Sequence, residues 1–292
     1  MILLTYTWKV LITMRDDFAV FILTHKRPDR IYTKRMLDRF NYTGRIVYIV
    51  DDQDDTVDEY KRLYGDSVYV FDKLKAAEIT DTMDNETHQR GVVFARNWCW
   101  TIAKELGLKY FMVLDDDYSS IQHITNAEHN NRSRSIQLTN MDRLFTAMVE
   151  FVESTPVLTL AMGQGGDYQG GGGWDRPKRK AMNSFVCATD RPFKFSGRTN
   201  EDVNAYVRLG HKGDIMLTQM KTSIIQKLTQ SNEGGLTELY LDTGTYVKSF
   251  FSVMMHPSGV RVAVLGKKHE RLHHRVDWRK TAPKILRQEY KK

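Results

Sequence analysis

The sequence predicts an α/β protein with a central, mostly parallel sheet flanked by helices. Short, continuous apolar runs of strand length occur at residues 18–24, 45–50 and 110–114, and stretches with helical spacing lie between them. Such runs are typical of parallel strands buried on both faces, and strands that alternate with helices favour a doubly wound sheet. Polar residues follow each run directly. They therefore lie where such sheets bind ligands, beyond the carboxyl ends of the strands.

The first part of the chain alternates regularly between the two kinds of element. The predicted strands are residues 18–24, 45–50, 68–71 and 110–114, and the predicted helices are residues 28–40 and 89–106. The second helix carries an apolar stripe at helical spacing and ends at Gly107, a residue type that commonly terminates helices.

The pattern changes after residue 118. Residues 119–140 are polar and rich in Asn, Ser and Arg, so we expect a loop or a weakly ordered insertion there. A helix at 141–153 and a strand at 157–162 follow, and the strand leads into a glycine-rich tract at 163–173. That tract lacks the Lys-Ser/Thr of phosphate-binding loops and does not begin a helix, so it is not a P-loop. We expect either a mobile loop near substrate or a flexible connector.

Composition indicates a globular protein rather than a disordered or disulfide-stabilised one. The 292 residues are 41% hydrophobic and 27% charged, which is ordinary for a folded soluble chain. Cys99 and Cys187 make neither a disulfide framework nor a cysteine zinc site, which fits a reducing cytoplasm. Residues 1–14 are too short to span a bilayer and are interrupted by Lys9, so we expect no membrane attachment.

The net charge of +7 is concentrated in two segments. Residues 256–292 carry eleven Lys or Arg against three Asp or Glu, and residues 174–198 carry seven against two. Basic segments on a nearly neutral body predict a polyanionic partner, with nucleic acid first. The alternative is a solvated tail together with a basic loop that serves a diphosphate.

The acidic triplet after the fourth strand is the strongest candidate site. On an extended segment Asp115 and Asp117 point to the same side and can converge on one ion, whereas Asp116 points away. Oxygen ligands select hard ions such as Mg²⁺ or Mn²⁺, and such an ion can bridge a diphosphate. The alternative is an acidic turn that caps the next segment.

The other two strand ends offer partners for a nucleotide. Asp51 and Asp52 could accept hydrogen bonds from a base or ribose, and Thr24, His25 and Arg27 could hold the base and phosphates. The acidic residues at positions 54, 55, 58 and 59 suit a solvated helix start, where negative charge favours the helix dipole.

Two further motifs leave alternatives open. Arg96 and Asn97 lie in the predicted helix before the acidic strand, where a buried arginine could pair with the site's carboxylates; a surface salt bridge is equally compatible. Residues 199–202 precede a short helix, and Asp202 could act as a general base there, although local reasoning favours a Thr or Asn cap with Glu201 and Asp202 in the first turn.

Several histidines late in the chain could complete a metal site. We select His256, which follows the apolar run at residues 247–255, as the third metal ligand. His269, His273 and His274 are the alternatives, and they could equally contact phosphates from within the basic segment.

Taken in order, five motifs between residues 18 and 210 resemble those of GT-A glycosyltransferases of the family-two kind. They are Thr-His-Lys-Arg-Pro at 24–28, Asp51-Asp52, the segment at 91–97, the acidic triplet, and Asn-Glu-Asp at 200–202. The resemblance implies a GT-A fold, a nucleotide-sugar donor such as a UDP-sugar, and Mn²⁺ or Mg²⁺ on Asp115 and Asp117, with Asp116 also on the donor side. It further implies that Arg96 and Asn97 line the nucleotide pocket and that Asp202, preceded by Glu201, is the catalytic base.

The chain looks more particularly like phage TET-associated glycosyltransferases, on the segments 24–27 and 114–118 and its basic character. That implies transfer to hydroxymethylated pyrimidines in double-stranded DNA, within the host cytoplasm if the protein is from a phage. Tyr168 or Trp174 could then stack on an extruded base. We expect a catalytic domain at 1–255, with a donor half near 16–120 and an acceptor half near 140–255, and a basic segment at 256–292. The alternatives are a protein, lipid or glycan acceptor, a nucleotidyltransferase, and a non-catalytic nucleic-acid-binding protein.

Overall fold

The computed structural model describes most of the chain. The described residues are 13–126, 133–138, 140–164, 183–227, 245–265 and 271–281, together with 288 and 291. The glycine-rich tract beyond Gln164, the two aromatic residues predicted to stack on a base (Tyr168 and Trp174), and His269 lie outside them. Within the described part, no helix is both long and apolar enough to cross a membrane.

The first half of the chain forms a parallel sheet, as predicted. Its strands lie side by side in the order β3-β2-β1-β4, and all three pairings are parallel. The strands are β1 (Phe18–Leu23), β2 (Arg45–Asp51), β3 (Val68–Phe71) and β4 (Tyr110–Asp115). The helices are α1 (Tyr32–Arg39), α2 (Val57–Tyr64), α3 (Lys73–Glu78) and α4 (Val93–Glu105), and a 3₁₀ turn spans Gly65–Ser67.

The second half extends this sheet with mixed pairings. Five more strands continue the order as β4-β8-β7-β9-β5-β6, in which only β7 and β9 pair in parallel. The elements are β5 (Tyr118–Asn126), β6 (Ser133–Gln137), α5 (Met141–Ser154), β7 (Thr159–Gln164), β8 (Ser184–Ala188), α6 (Glu201–His211) and β9 (Met216–Gln226). The sheet flanked by helices is therefore confirmed, and it is parallel in its first half and mixed overall.

The loop or weakly ordered insertion expected at residues 119–140 is wrong for the part that the structure describes. Residues 118–126 and 133–137 are strands that pair antiparallel with each other; the first of them also pairs antiparallel with β9, and the second is the edge strand of the sheet. Tyr118 and Ile121 are buried, while Ser119 and Ser120 are only partly so. Antiparallel strands with one solvated face need one apolar face only, so the polar composition of these two strands concealed them.

Both faces of the sheet are covered, which explains the continuous apolar runs. Along β1, Phe18, Val20 and Ile22 join one core cluster, and Ala19, Phe21 and Leu23 join a second cluster on the opposite face. Side chains alternate between the faces of a strand, so a strand with helices on both sides must be apolar at every position.

Helix α4 begins later than the sequence predicts. Residues 79–92 form an irregular segment, and α4 starts at Val93 instead of residue 89. Gly91 has a φ of +129°, a conformation that only glycine adopts readily, and a Cβ there would lie 3.2 Å from the carbonyl oxygen of Arg198. The chain is therefore turned at Gly91 by its close approach to the segment before α6.

The C-terminal segment folds back onto the domain. It comprises α7 (Thr245–Met255), β10 (Val260–Leu265), β11 (Arg271–Val276) and α8 (Trp278–Thr281), with β10 and β11 paired antiparallel. Val260 is buried in the same core cluster as the inward side chains of α4 and α6. The described part of residues 256–281 is thus not a solvated tail, whereas the domain division at residue 255 stays a prediction.

The basic stretch at 174–198 does not present all its cations to a partner. Arg198 is 3% exposed and pairs with Asp84, with Nε–Oδ2 and Nη2–Oδ1 distances of 2.7 and 2.9 Å. Arg191 donates to the carbonyls of Val152 and Val157 near the end of α5. Arg191 and Arg198 therefore hold the fold together, and the expected polyanion contact is wrong for both.

Candidate functional site

Three strand ends meet at one edge of the sheet. Leu23 at the end of β1 is in register with Asp115 on one side and with Ile49 on the other. The backbone N–H of Thr24 donates to the carbonyl of Ile49 at 3.2 Å, just before Asp51. Because neighbouring parallel strands end together, the polar residues after β1, β2 and β4 are brought into one cluster, as the sequence predicts.

Thr24, Arg27 and Asp116 form one network in this cluster. The Thr24 hydroxyl donates to Asp116 Oδ2 at 2.8 Å, and Arg27 Nη1 donates to Asp116 Oδ1 at 3.0 Å. Burial raises the pKa of the Asp116 carboxyl, and the charge of Arg27 opposes that rise. Tyr60 joins from α2, since its hydroxyl lies 2.8 Å from Thr24 Oγ1 and accepts from the N–H of Arg27 at 2.9 Å.

His25 and Asp51 form a second, adjoining group. The Nδ1 atom of His25 lies 3.0 Å from Asp51 Oδ2, and Lys73 Nζ donates to Asp51 Oδ1 at 3.0 Å. Burial acts to raise the pKa of Asp51, but the hydrogen bond from His25 and the charge of Lys73 outweigh it, so the pKa lies below its ordinary value. Asp51 is therefore held ionised at the end of β2.

Asp52 and Asp54 differ in burial and in their contacts with this group. Asp52 is exposed, and its Oδ1 accepts the backbone N–H of Lys73 at 3.0 Å, while Asp54 Oδ2 lies 3.3 Å from His25 Nδ1. Asp54 was expected on a solvated helix start, but it is 4% exposed and accepts from the backbone N–H groups of Lys26 and Thr56 at 2.7 and 2.8 Å. That expectation is wrong for Asp54, because its carboxylate is needed to close the turn after β2.

The acidic triplet is a strand end followed by a turn, not one extended segment. β4 stops at Asp115, and Asp116 and Asp117 form the turn into β5. The N–H of Thr33 in α1 donates to the Asp116 carbonyl at 3.1 Å, and the N–H of Lys227 donates to the Asp117 carbonyl at 3.1 Å. The expected extended geometry is thus wrong, and the turn is fixed instead by α1 and by the end of β9.

Asp115 and Asp117 nevertheless influence each other as a pair. Burial, reinforced by the negative charge of Asp115, raises the pKa of the Asp117 carboxyl to about 7. Gln226 Nε2 donates to Asp117 Oδ2 at 3.0 Å, whereas Asp117 Oδ1 is buried without a hydrogen-bond partner among the described residues. A cation beside these oxygens would offset the repulsion between the Asp115 and Asp117 carboxylates and would give Asp117 Oδ1 a partner.

This donor set fits Mg²⁺ or Mn²⁺. The described residues contain no cluster of three or more His, Cys, Asp or Glu side chains suited to a metal. Mg²⁺ typically takes only one or two carboxylates from the protein and completes its shell with waters and substrate phosphates. Two carboxylates with one unpartnered oxygen therefore suit an ion that arrives with a diphosphate.

Arg96 connects this pair to helix α6. Its side chain is 2% exposed, its Nη2 donates to Asp115 Oδ1 at 3.2 Å, and its Nη1 donates to Glu201 Oε1. Burial acts to lower the pKa of Arg96, but the carboxylates of Glu201 and Asp115 outweigh it and hold the pKa above its ordinary value. The pairing is a buried bridge and not a surface salt bridge, while a role for Arg96 in a nucleotide pocket stays a prediction.

We expect Arg96→Lys to lower the free energy of unfolding by about 2 kcal/mol, because one ammonium cannot replace the two-armed contact with Asp115 and Glu201. Urea unfolding measures the loss, with Arg62→Lys as the control because Arg62 is 68% exposed. Equal stability of the two variants would show that the bridge does not hold α6 in place.

Asn97 acts as a clamp within the protein. Its Oδ1 accepts the N–H of Phe195 at 2.8 Å, and its Nδ2 donates to the Phe195 carbonyl at 3.0 Å and to Thr80 Oγ1 at 3.1 Å. The amide thus joins α4 to the segment that leads into α6, and these bonds use both of its N–H groups.

Asn97→Ala is therefore expected to cost about 2 kcal/mol of stability, since it leaves two buried backbone groups unpaired, with no change in the KM for the donor. Thermal unfolding and donor kinetics on the same variant separate the two effects. A raised KM with unchanged stability would instead support the nucleotide-pocket role that the sequence suggests.

Helix α6 begins with the two acidic residues of the last motif. Glu201 and Asp202 are 5% and 7% exposed. The expected Asn cap is wrong, because Asn200 has a φ of +52° and its side chain accepts no hydrogen bond from the first turn. Its Nδ2 instead donates to the carbonyl of Lys248 at 2.7 Å and to Ser252 Oγ at 3.2 Å, so α7 fixes the start of α6.

The structure separates His256 from the acidic triplet. The backbone carbonyl of His256 accepts the N–H of Gly259 at 3.0 Å, and a Cβ added at Gly259 would lie 3.5 Å from His211 Nε2, so His256 is near the last turn of α6. Burial, with His211 and Arg208 acting in the same direction, lowers the pKa of His256. Glu201, which bridges to Asp115 through Arg96, is at the other end, about 15 Å away along the axis. The selection of His256 as third ligand is therefore not supported by the geometry.

His274 is the imidazole that lies beside the start of α6. Its Nδ1 is 3.2 Å from Asn200 Nδ2, and its ring packs against that of His273 with a centroid separation of 4.3 Å. It was one of the alternatives in the sequence. Its position depends on the pairing of β10 with β11, which no local pattern reveals.

A cavity of about 570 Å³ opens elsewhere on the surface. Arg45, Tyr48 and Tyr64 are among its lining residues, and Arg45 and Ile46 begin β2. It therefore lies toward the opposite end of β2 from Asp51, and the cluster at the strand ends is defined by its polar contacts instead.

Comparison with known proteins gives one family match and several distant structural ones. Residues 18–235 match the family model for TET-associated glycosyltransferases. No curated protein matches the chain.

Solved structures resemble the chain only distantly. The mannosyltransferase PcManGT from Pyrobaculum calidifontis is 10% identical, with a TM-score of 0.43 over 84% of this chain and 75% of that one. Glucosyl-3-phosphoglycerate synthase from Mycobacterium tuberculosis is 10% identical, with a TM-score of 0.42 over 87% and 86%. S. aureus TarS 1-349 is 14% identical, with a TM-score of 0.39. The match covers 71% of this chain but only 59% of the TarS chain.

The family match spans the strand ends, the acidic triplet and the start of α6, which are the parts that form the cluster. The chain therefore belongs to the family of TET-associated glycosyltransferases, and it is a glycosyltransferase.

Proposed function

We propose that the protein transfers a sugar from a nucleotide sugar, a UDP-sugar, to the hydroxyl of a hydroxymethylated pyrimidine in double-stranded DNA, with Mn²⁺ or Mg²⁺ as cofactor. The observation that carries the proposal is the buried bridge from Asp115 through Arg96 to Glu201. It ties the carboxylates that suit a donor diphosphate to the helix turn that bears Asp202. The Arg96 side chain thus sets the distance between the donor diphosphate and the catalytic base Asp202.

The nucleoside would lie over the ends of β1 and β2. Asp51, held ionised by His25 and Lys73, accepts hydrogen bonds from the base or ribose. Thr24 and Arg27 hold the Asp116 carboxylate in place by hydrogen bonds at the ends of β1 and β4.

Asp115 and Asp117 would hold the divalent ion beside the diphosphate. When bound, the ion neutralises charge on the departing diphosphate. The unpartnered Oδ1 of Asp117 and the mutual repulsion of the two carboxylates support this assignment.

Asp202 would act as the general base on the acceptor. It takes the proton from the acceptor hydroxyl while that oxygen forms a bond to the anomeric carbon. The bond from the anomeric carbon to the diphosphate oxygen breaks in the same step, and its electron pair leaves with the diphosphate. The sugar is therefore transferred with inversion at the anomeric carbon.

Family membership and charge support DNA as the acceptor. The family description associates these transferases with TET, and the basic C-terminal segment could contact phosphates. The two free cysteines are buried, which fits a reducing cytoplasm as the place of reaction.

The proposal is tested by incubating hydroxymethylated duplex DNA with the protein, Mn²⁺ and a panel of nucleotide sugars, followed by mass spectrometry of the digested nucleosides. We expect one sugar residue to be added to the modified pyrimidine and none to unmodified duplex. Transfer of a nucleotide instead of a sugar would identify a nucleotidyltransferase. Donor turnover without any product on DNA would direct the search to a protein, lipid or glycan acceptor.

A further inference from the structure

The two strands β10 and β11 form a ribbon with two different faces, here called the C-terminal ribbon. On one face, Val260 is buried in the core and stands opposite Val276, which packs against the same core. His274 is on this face too, and its Nδ1 lies 3.2 Å from the Asn200 amide. The ribbon is thus seated on the start of α6 through this face.

The opposite face of the ribbon carries facing arginines. Arg261 and Arg275 are register partners across the antiparallel pair, and both are exposed. Side chains directly opposite each other are about 5 Å apart at Cβ, so two like charges there repel. Helix α8 follows at once and adds Arg279 and Lys280, which are also exposed.

These four cations have no acidic partner among the residues that the structure describes. Within the described part of the chain, none of the four forms an ion pair, although Asp277 lies between them in sequence. The Asp277 carboxylate instead accepts the backbone N–H of Arg279 at 3.1 Å. By contrast, Arg96 and Arg198 are buried in contacts with carboxylates. The positive charge of the ribbon is therefore left for an external anion.

We propose that the outer face of the C-terminal ribbon, with Arg261 and Arg275 at its centre and Arg279 and Lys280 beside it, binds the phosphate backbone of duplex DNA. The inference rests on the proposed function, since it names the surface that holds the DNA acceptor. Several cations spread over two elements match a row of phosphates better than a single diphosphate, because duplex DNA presents a charge every 1.7 Å or so along its axis. The other face of the ribbon touches Asn200, the residue before Glu201 and Asp202, so the ribbon is attached next to the proposed base and DNA on its outer face lies on the far side of the ribbon from that base.

The test compares two matched double variants in the full-length protein. Arg261→Ala with Arg275→Ala removes the facing pair, and Arg62→Ala with Lys109→Ala removes two cations that are 68% and 75% exposed in the donor half. Binding of a fluorescein-labelled duplex is measured by anisotropy from 50 to 300 mM salt, a range chosen because phosphate contacts weaken steeply across it. Circular dichroism checks that both variants are folded.

We expect the ribbon variant to bind duplex on the order of tenfold more weakly at 0.1 M salt, with a slope of log K against log salt reduced by about 1.8, as two lost phosphate contacts require. The control variant should keep the wild-type affinity and slope. The double variant Arg261→Lys with Arg275→Lys should retain most of the affinity for duplex, because the proposed contacts depend on positive charge and not on two-pronged hydrogen bonding by a guanidinium group.

The proposed DNA-binding surface would be wrong if wild type binds duplex well and the ribbon variant has the same affinity and the same salt slope. That result would leave DNA as the proposed acceptor. Wild type that binds no duplex, or binds it without salt dependence, would overturn the surface and the DNA acceptor together. Sugar transfer to hydroxymethylated duplex distinguishes the cases further, since the ribbon variant should lose transfer at low DNA concentration but retain metal-dependent hydrolysis of the donor.

Discussion

Replacing Asp117 with Asn is expected to lower kcat by at least about a thousandfold. The substitution keeps the size of the side chain and its contact with Gln226, but it removes the charge of the carboxylate whose Oδ1 is buried and unpartnered. A divalent ion would then be held by Asp115 alone. The measurement is the initial rate of sugar transfer at saturating donor and Mn²⁺.

The same variant should be at least as stable as wild type in the presence of EDTA. Burial and the charge of Asp115 both disfavour an ionised Asp117. A neutral amide at this position therefore removes a destabilising charge when no metal is bound. Asp190→Asn is the matched control, because Asp190 is 86% exposed, and it should change neither rate nor stability. An Asp117→Asn protein that is active would remove the metal assignment; one that is unfolded would give Asp117 a structural role.

Replacing Asp202 with Asn should lower kcat by a factor between about a hundred and ten thousand, which is the usual contribution of a general base. Asp202 lies in the first turn of α6, 7% exposed, next to the Arg96–Glu201 pair. The amide is isosteric and cannot accept the proton of the hydroxyl. Donor affinity should not change, because the contacts at the ends of β1, β2 and β4 remain.

Steady-state kinetics with separate variation of donor and acceptor measure this effect. Asp190→Asn serves again as the exposed control for loss of one carboxylate. If Asp202→Asn raises the donor KM and leaves kcat unchanged, Asp202 belongs to the donor pocket and another group is the base.

The sequence predicted the elements that are buried on both faces. β1, β2 and β4 are continuous apolar runs because helices cover both sides of the sheet, and such runs are visible without any partner. β5 and β6 were missed because they are the last two strands at one side of the sheet and are antiparallel, so each needs only one apolar face. The pairing of β5 with β9 depends on residues about a hundred positions away.

The candidate site was predictable where it depends on strand ends. Thr24, Asp51 and Asp115 come together because parallel strands end at one edge of a sheet. Tyr60 and Lys73 were missed, since each reaches the cluster from a helix and neither stands in a recognisable motif.

Long-range contacts decided the remaining assignments. Asn200 was expected as a cap, but its positive φ lets its amide reach α7. His274 and not His256 lies beside the start of α6, because the ribbon of β10 and β11 folds back onto that end of the helix. Neither outcome leaves a trace in local sequence.

Titration of UDP in the presence and absence of Mn²⁺, on wild type, Asp117→Asn and Asp202→Asn, tests most directly whether the cluster is a metal-dependent donor site next to a separate base. We expect wild type to bind UDP tightly only with Mn²⁺, Asp202→Asn to bind as wild type does, and Asp117→Asn to lose the Mn²⁺-dependent gain. Wild-type binding that is indifferent to Mn²⁺, or unchanged binding in Asp117→Asn, would contradict the account.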